Sequence, residues 1–440
     1  MSSLLIGIVA IVSFLFLLLF GVYIGIDFII VGIFSTIILI GLKPMLSILG
    51  QTMYYSIASP SFAALPLFIL MGAFAARGGF AKAAYKGIHN VTSDLPGSLA
   101  IATCYGCAAF GAVSGSALAT AAVFGKVALP EMQRYKYNKS LALGSIAAAG
   151  TFADMIPPST MFIIYAIFTQ QSVGKLFMAG IIPGLITATV YALSIVIRVK
   201  RNPKLAPIVS SGIDLSWKDK ILSLRNMWPI LLLASIVIGG IYSGLFTPTE
   251  AGAAGAFGAL ILGIFLGDLN KISNIKQSLR ESAQTTSMVF LIIVGAIFFS
   301  RILALTQIPV KLSMLINSWE VPRIFILIGI LVLWFFLGMI IIPTGIYAIT
   351  LPIVFPIIQN LGYDPIWFGV ITLKLTEIAA VTPPVGLNVY TLQSVAPEGT
   401  TIEEVFSGVW PFVICDIIVL IFLIIFPEIC LYLPNLLLGK

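Results

Sequence analysis

Charge is scarce in this sequence: Asp, Glu, Lys and Arg together make up 9% of 440 residues. Soluble domains carry about a quarter, so a water-soluble globular protein is excluded. Disorder needs high charge and low hydrophobicity and is excluded with it. Histidine occurs once, as His89, in a basic connecting stretch where it reads as a solvated residue. A single imidazole rules out an HExxH zinc motif and leaves no His-based triad visible, and no GxxxxGK[ST] loop is there to cradle a phosphate. Cysteine is rare too: Cys104, Cys107, Cys415 and Cys430 all lie in apolar stretches. The CxxC spacing of the first two, in IATCYGCAAF, has no second pair near it and reads as small-residue helix packing, not metal or redox chemistry. Strict polar–apolar alternation is missing as well, which argues against an outer-membrane barrel.

What the sequence has in quantity is hydrophobic side chains, 59% of the total, in long continuous runs. An all-α polytopic membrane protein follows, with room for about ten to twelve spans at about 20 residues per crossing. The formal charge of +7 calls for no nucleic-acid partner, because cytoplasmic loops of membrane proteins collect Lys and Arg. The first 20 residues lack a basic leading stretch and run at once into a second apolar segment. They read as a retained first span, not a cleaved signal peptide.

Apolar segments fall near 4–22, 24–42, 60–76, 98–110, 114–128, 139–156, 160–168 and 177–197. After a polar, basic stretch they resume near 229–246, 251–267, 286–305, 322–336, 340–358, 366–381, 385–396 and 408–432. Two pairs are split by short breaks, GAVSGS in the first half and LGMIIIPTG in the second, and suit re-entrant hairpins over 98–128 and 322–358. Pro157-Pro158 interrupts 139–168 and Pro383-Pro384 interrupts 366–396. Pro157 and Pro383 lie 226 residues apart, and the hairpin glycines Gly111 and Gly338 lie 227 apart. Two landmarks at one offset predict an internal repeat: residues 1–197, a cytoplasmic basic connector at 198–227, and residues 228–440. Five crossings per half make the repeats inverted relative to each other. With the connector inside, the N-terminus lies outside, and most basic residues fall inside, among them Arg77, Lys126, Arg134, Lys139, Arg198, Lys200, Arg201, Lys271 and Arg280.

A Pro-Pro pair within an apolar run lacks two N–H donors and pushes the preceding residues away from helical angles. Both interrupted helices should therefore unwind near mid-membrane, where irregular backbone survives only in protein or beside a hydrated site. Ser159 follows the first break, and Thr382 and Gly386 flank the second. The hairpin tips bring Ser114, Gly115 and Ser116 on one side and Thr344 and Gly345 on the other. Hydroxyls and freed carbonyls suit a small hard cation such as Na⁺, and half-helix N-termini beside them suit an anionic substrate. Such residues also let helices pack closely, but the doubling at one offset favours a transport site. Charged residues inside spans are costly and are usually functional or paired. Asp154, Lys374 and Glu377 qualify, with Asp27 and Asp416 nearer span ends. Asp154 and Lys374 suit an ion pair with each other, a substrate contact or a proton relay, and equally a structural pair or snorkelling to the interface. Glu250, just after Pro248 at a helix start, reads as a cap.

At these residues the chain resembles the large membrane subunit of tripartite ATP-independent periplasmic (TRAP) transporters. The resemblance is carried by ALPLFILMGAF (64–74), GAVSGSALATAA (111–122), MIPPS (155–159), GLFTPTEAGAAGA (244–256), LGM…LPI (337–353), VTPPVG (381–386) and the closing PFVICDII…FPEICLYLP (411–434). It implies a Na⁺-driven secondary importer of organic anions in a bacterial inner membrane, and no enzyme. The implied partners are a small four-helix membrane subunit and an extracytoplasmic substrate-binding protein. The hairpins and broken helices would move like an elevator against a scaffold. By position, the family's sodium sites fall at Gly111, Ser114, Ser116 and the Pro157–Ser159 break, and at Gly338, Thr344, Thr382 and Gly386. Ser114, Ser116, Ser159 and Thr344 would meet a carboxylate such as sialic acid or a C4-dicarboxylate, or a sulfonate. The chain departs from the family pattern at Asp154, Ile342 and Lys374, and Asp154 and Lys374 are expected to adjust substrate or ion choice. The alternative is a single-component Na⁺- or H⁺-coupled dicarboxylate carrier of related hairpin architecture.

Overall fold

Apolar runs buried in lipid must close their backbone hydrogen bonds within themselves. In the computed structural model, which describes residues 2–207, 216–318 and 321–438, every regular element is accordingly a helix. The first half runs α1 (Ser3–Leu19), α2 (Ile24–Ile40), α3 (Leu42–Ala58), α4 (Ala64–Arg77) and α5 (Phe80–Thr92). Next come the hairpin α6 (Ser98–Ser114) and α7 (Ala117–Arg134), the broken helix α8 (Lys139–Ala149), α9 (Phe152–Met155) and α10 (Thr160–Thr169), and the long α11 (Val173–Arg201). The second half opens with α12 (Trp217–Leu224), α13 (Trp228–Ala234) and α14 (Gly240–Tyr242), the last two joined by a π-helical turn, then α15 (Pro248–Leu266), α16 (Ile272–Thr306) and α17 (Ile308–Asn317). A hairpin of α18 (Arg323–Gly338) and α19 (Pro343–Asn360), a broken helix of α20 (Pro365–Val381) and α21 (Leu387–Val395), and α22 (Ile402–Ile425) and α23 (Glu428–Leu438) complete it.

Among the described residues five helices are long and apolar enough to cross a bilayer: 173–201, 218–242, 248–266, 272–306 and 402–425. Two bent pairs add to them, α4 with α5 at 65° and α8–α9 with α10 at 44°. Helix pairs occupy 98–134 and 323–360, and the helices that follow each are interrupted at Pro157-Pro158 and Pro383-Pro384. Other expectations need correction. Helix α3 was not anticipated, because Lys43, Ser47, Gln51 and Thr52 interrupt its apolar run. The segment 408–432 is two helices, since Pro427 follows the end of α22 and cannot continue it. His89 is not a fully solvated residue: it lies on α5, half-buried, its ring stacked on Tyr85 at 6.4 Å between centroids. All four cysteines are buried and unpaired.

Packing shows a reciprocal pattern. Helix α2 lies along α16 while α4 lies along α15, and α10 meets α19 while α21 meets α7. Elements at matching places in the two halves thus exchange partners, as a two-fold relation between repeats requires. Where α8 crosses α22, the backbones touch: a Cβ on Gly144 would stand 2.0 Å from the Gly408 carbonyl oxygen, so only glycine fits. The connector is described only in part, since 208–215 lie outside the described residues. Its α12 docks on α5, where Lys220 pairs with Asp94 in the loop that follows α5. The Lys220 ammonium holds the Asp94 carboxyl below the usual carboxylate range. Glu250 is the expected cap: with Thr247 it forms a reciprocal capping box at the start of α15.

Candidate ion and substrate site

The first hairpin turns on Gly115, whose φ of +59° is the left-handed region that favours glycine. Its N–H returns to the Gly111 carbonyl at 3.1 Å, closing α6. Ser116 then begins α7 as N-cap, its Oγ accepting from Ala119 N–H. Ser114 and Thr120 share a hydroxyl hydrogen bond of 2.8 Å that pins the two arms together. The broken helix packs directly on this tip. Thr160, at the start of α10, donates its hydroxyl to the Gly115 carbonyl at 2.8 Å. Asp154, on the short α9, accepts the Ala117 N–H at 3.0 Å and so brings a carboxylate to the N-terminus of α7. Between these contacts Ile156, Pro157, Pro158 and Ser159 leave helical geometry, and the Pro157-Pro158 peptide is cis. Ser159 restarts the helix by accepting from Phe162 N–H at 3.1 Å.

The second hairpin repeats this plan with different side chains. Helix α18 ends at Gly338, and α19 restarts at Pro343 with Ile342 as N-cap and no side-chain cap. Thr344 is half-buried in the first turn. In the broken helix Thr382 ends α20, donating its hydroxyl to the Ile378 carbonyl at 2.6 Å. The Pro383-Pro384 peptide is cis, and Gly386, at φ +58°, starts α21. A Cβ added at Gly111 would meet Ala153, and one at Gly338 would meet Ala379. The same hairpin-to-broken-helix contact therefore occurs twice, at offsets of 227 and 226 residues.

The structure thus brings Gly111, Ser114, Ser116, Asp154, Pro157 and Ser159 together around one tip, and Gly338 with the helix leading to Thr382 around the other. The two sides are joined by Asn388 of α21, which donates to the Ala147 carbonyl of α8 at 3.3 Å. Among the described residues no group of three or more His, Cys, Asp or Glu is placed to hold a metal.

Lys374 does not stand at either tip, and it does not pair with Asp154. It is completely buried, with Nζ 3.0 Å from Glu377 Oε2 and 2.7 Å from Asp416 Oδ1. A side chain enclosed between two carboxylates has no surface to offer a substrate. Asp416 likewise lies inside α22, not near its end, and accepts a second hydrogen bond from Tyr191 Oη at 2.6 Å. The i,i+3 spacing of Lys374 and Glu377 was a usable signal for the first pair. Asp416 and Tyr191 come from distant parts of the chain, and no local pattern pointed to them. Thr160, whose partner Gly115 lies 45 residues away, was missed for the same reason. Asp27 is buried on α2 with no hydrogen-bond partner at either carboxylate oxygen.

Residues 11–429 match the family described as tripartite ATP-independent periplasmic transporter, DctM component. The chain is 36% identical over 378 residues to the C4-dicarboxylate TRAP transporter large permease protein DctM of Pseudomonas aeruginosa, covering 84% of this chain and 86% of that one. It is 33% identical over 409 residues to the isethionate TRAP transporter permease protein DctMQ of Oleidesulfovibrio alaskensis, covering 90% of this chain and 62% of the longer relative. Among solved structures, the YdaH transporter of Alcanivorax borkumensis shares the fold, with a TM-score of 0.65 at 13% identity over 92% of this chain and 97% of that one. With the family match running over nearly its whole length and relatives of this identity, the chain belongs to the DctM family, as a large membrane permease subunit of a TRAP transporter and not an enzyme.

Proposed function

We propose that this permease drives the uptake of an organic anion with the sodium gradient, binding Na⁺ at the two hairpin tips. The observation that carries the reading is the duplicated meeting of a hairpin tip with an unwound helix. In both places hydroxyl and carbonyl oxygens gather where the helix has lost its own bonds. The first site draws on Gly111, Ser114, Ser116 and the Pro157–Ser159 turn, the second on Gly338, Thr344, Thr382 and Gly386. Sodium at the tips would order them around a carboxylate or sulfonate held by Ser114, Ser116, Ser159 and Thr344. Relatives named for C4-dicarboxylate and isethionate transport support that substrate class.

The hairpins, broken helices, α11 and α22 would move as one body against a scaffold containing α2, α4, α15 and α16. In this reading residues 1–197 and 228–440 are inverted repeats in an inner membrane, with the N-terminus outside and the 198–227 connector in the cytoplasm. A small membrane subunit would brace the scaffold, and an extracytoplasmic binding protein would deliver substrate. Transport by the permease in the absence of a binding protein would favour the single-component alternative.

Thermal unfolding of the purified protein in Na⁺ against choline, at equal ionic strength, tests the sodium sites. A ligand at 100 times its Kd stabilises the folded state by about 2.7 kcal/mol. A saturable, Na⁺-specific rise in Tm is expected. Identical melting in the two salts would overturn the sodium reading.

A further inference from the structure

Helices α20, α22 and α11 meet around four side chains that solvent does not reach. Lys374, Glu377, Asp416 and Tyr191 are each at most 2% exposed. Lys374 bridges Glu377 Oε2 at 3.0 Å and Asp416 Oδ1 at 2.7 Å, and Tyr191 donates to Asp416 Oδ2 at 2.6 Å. One ammonium faces two carboxylates, so full ionisation leaves one uncompensated negative charge in apolar surroundings. Such a charge is costly unless it is paired or neutralised.

The geometry decides which oxygen carries the neutralising group. Both oxygens of Asp416 are engaged by donors, Oδ1 by Lys374 Nζ and Oδ2 by Tyr191 Oη. Glu377 receives Lys374 at Oε2 alone, and its buried Oε1 has no hydrogen-bond partner in the protein. The titratable groups facing Glu377 are Lys374 on its own helix, Asp416 on α22, Tyr191 on α11, Asp154 on α9 and Tyr347 on α19. Among these groups Lys374 alone is positive; a further cation, Arg198 on α11, interacts with Cys415 on the Asp416 side of the cluster and not with Glu377. Asp154 has its own partner in the Ala117 N–H at the N-terminus of α7. A metal cation would need several oxygen ligands beside an ammonium that repels it, whereas a proton needs one lone pair.

We propose that Glu377 binds a proton at Oε1, making the Lys374–Glu377–Asp416–Tyr191 cluster an electroneutral proton site within the part of the transporter built from the hairpins and broken helices. The step is a simple association: the Oε1–H bond forms with a proton from water, the carboxylate charge is lost, and no other bond changes. That this proton travels with the substrate rests on the transport reading above; that it is bound does not.

Infrared spectroscopy of the purified full-length protein counts protonated carboxyl groups, with exchange into heavy water to identify them. The probe is the proton alone, at neutral pH, without substrate or ion gradient. Glu377→Gln is expected to show one protonated carboxyl fewer than the wild type, because Lys374 and Asp416 then balance. Lys374→Met should show one more, since both carboxylates lose their counter-charge. Asp416→Asn keeps the shape of the side chain and serves if Lys374→Met does not fold. It should also show one fewer, with Glu377 now ionised against Lys374. A wild-type count in Glu377→Gln overturns the proposal, and so does a wild-type count in both Lys374→Met and Asp416→Asn. Failure here leaves the sodium reading standing, and an absent sodium effect on melting leaves this count unchanged.

Discussion

At the first hairpin tip Ser116, Asp154, Ser159 and Thr160 each commit a side chain to the backbone of the tip or of the broken helix beside it. At the second, Thr382 bonds back into its own helix, while Ile342 caps α19 with no polar group and Ile340 is 61% exposed. The two halves share a backbone plan but hold it by different means. The first tip is tied locally by hydrogen bonds. The second broken helix is anchored at a distance, through the charge cluster on α20. A repeat therefore preserves the chain path and the close glycine contacts, Gly111 to Ala153 and Gly338 to Ala379, while the side chains that stabilise each copy diverge.

The largest test of this contrast removes the distant anchor. Lys374→Ala removes the ammonium that bridges Glu377 and Asp416, and breaking a buried pair in this way costs about 3–5 kcal/mol. Chemical or thermal unfolding reads the loss. A change below about 1 kcal/mol would mean that the cluster does not anchor α20. Next comes crowding at the tips. A Cβ on Gly72 would stand 2.3 Å from the Ser114 carbonyl oxygen, which is backbone and cannot swing aside. Gly72→Ala should cost about 1–3 kcal/mol and reduce the sodium-induced rise in Tm. Gly345→Ala meets the ends of the Ile24 and Ile341 side chains at 2.8 and 2.9 Å, which can rotate away, so its cost should be the smaller of the two. Equal effects would break the comparison.

Smaller differences sharpen it. Ser116→Ala and Ser159→Ala each remove an N-cap and should each cost about 1 kcal/mol, whereas Thr344→Ala, which removes no cap bond, should stay within about 0.5 kcal/mol. The smallest effect is expected far from both tips, at the pair formed by Asp94 and Lys220. Because Lys220 lowers the Asp94 pKa, the pair contributes stability above the ordinary Asp value, and that contribution is lost as pH falls through the lowered value. Asp94→Asn should remove this acid-side slope from a Tm–pH profile and leave the response to sodium intact.

The features legible in the sequence were those written locally. Pro157-Pro158 and Pro383-Pro384 dictate a helix break whatever surrounds them, because proline lacks an N–H and constrains the residue before it. Gly115 dictates a tip, and Pro248 with Glu250 dictates a helix start. The spacing of these signals revealed the repeat before any contact was known. Less legible were elements whose pattern is mixed, such as α3, where polar residues hide a helix from a search for apolar runs.

Long-range partnership lay outside that reach. Asp154 and Lys374 looked like candidates for each other, yet Asp154 serves the N-terminus of α7 and Lys374 serves Glu377 and Asp416. Local backbone rules act through neighbours along the chain, so the sequence alone determined a membrane-embedded helical protein with two hairpins and two broken helices. Which buried charge meets which, and therefore what each costs and what it can bind, depends on helix crossings between residues as far apart as Tyr191 and Asp416. Only the tertiary structure decided that, because the energy of a buried charge is set by the groups around it in space and not by those beside it in the chain.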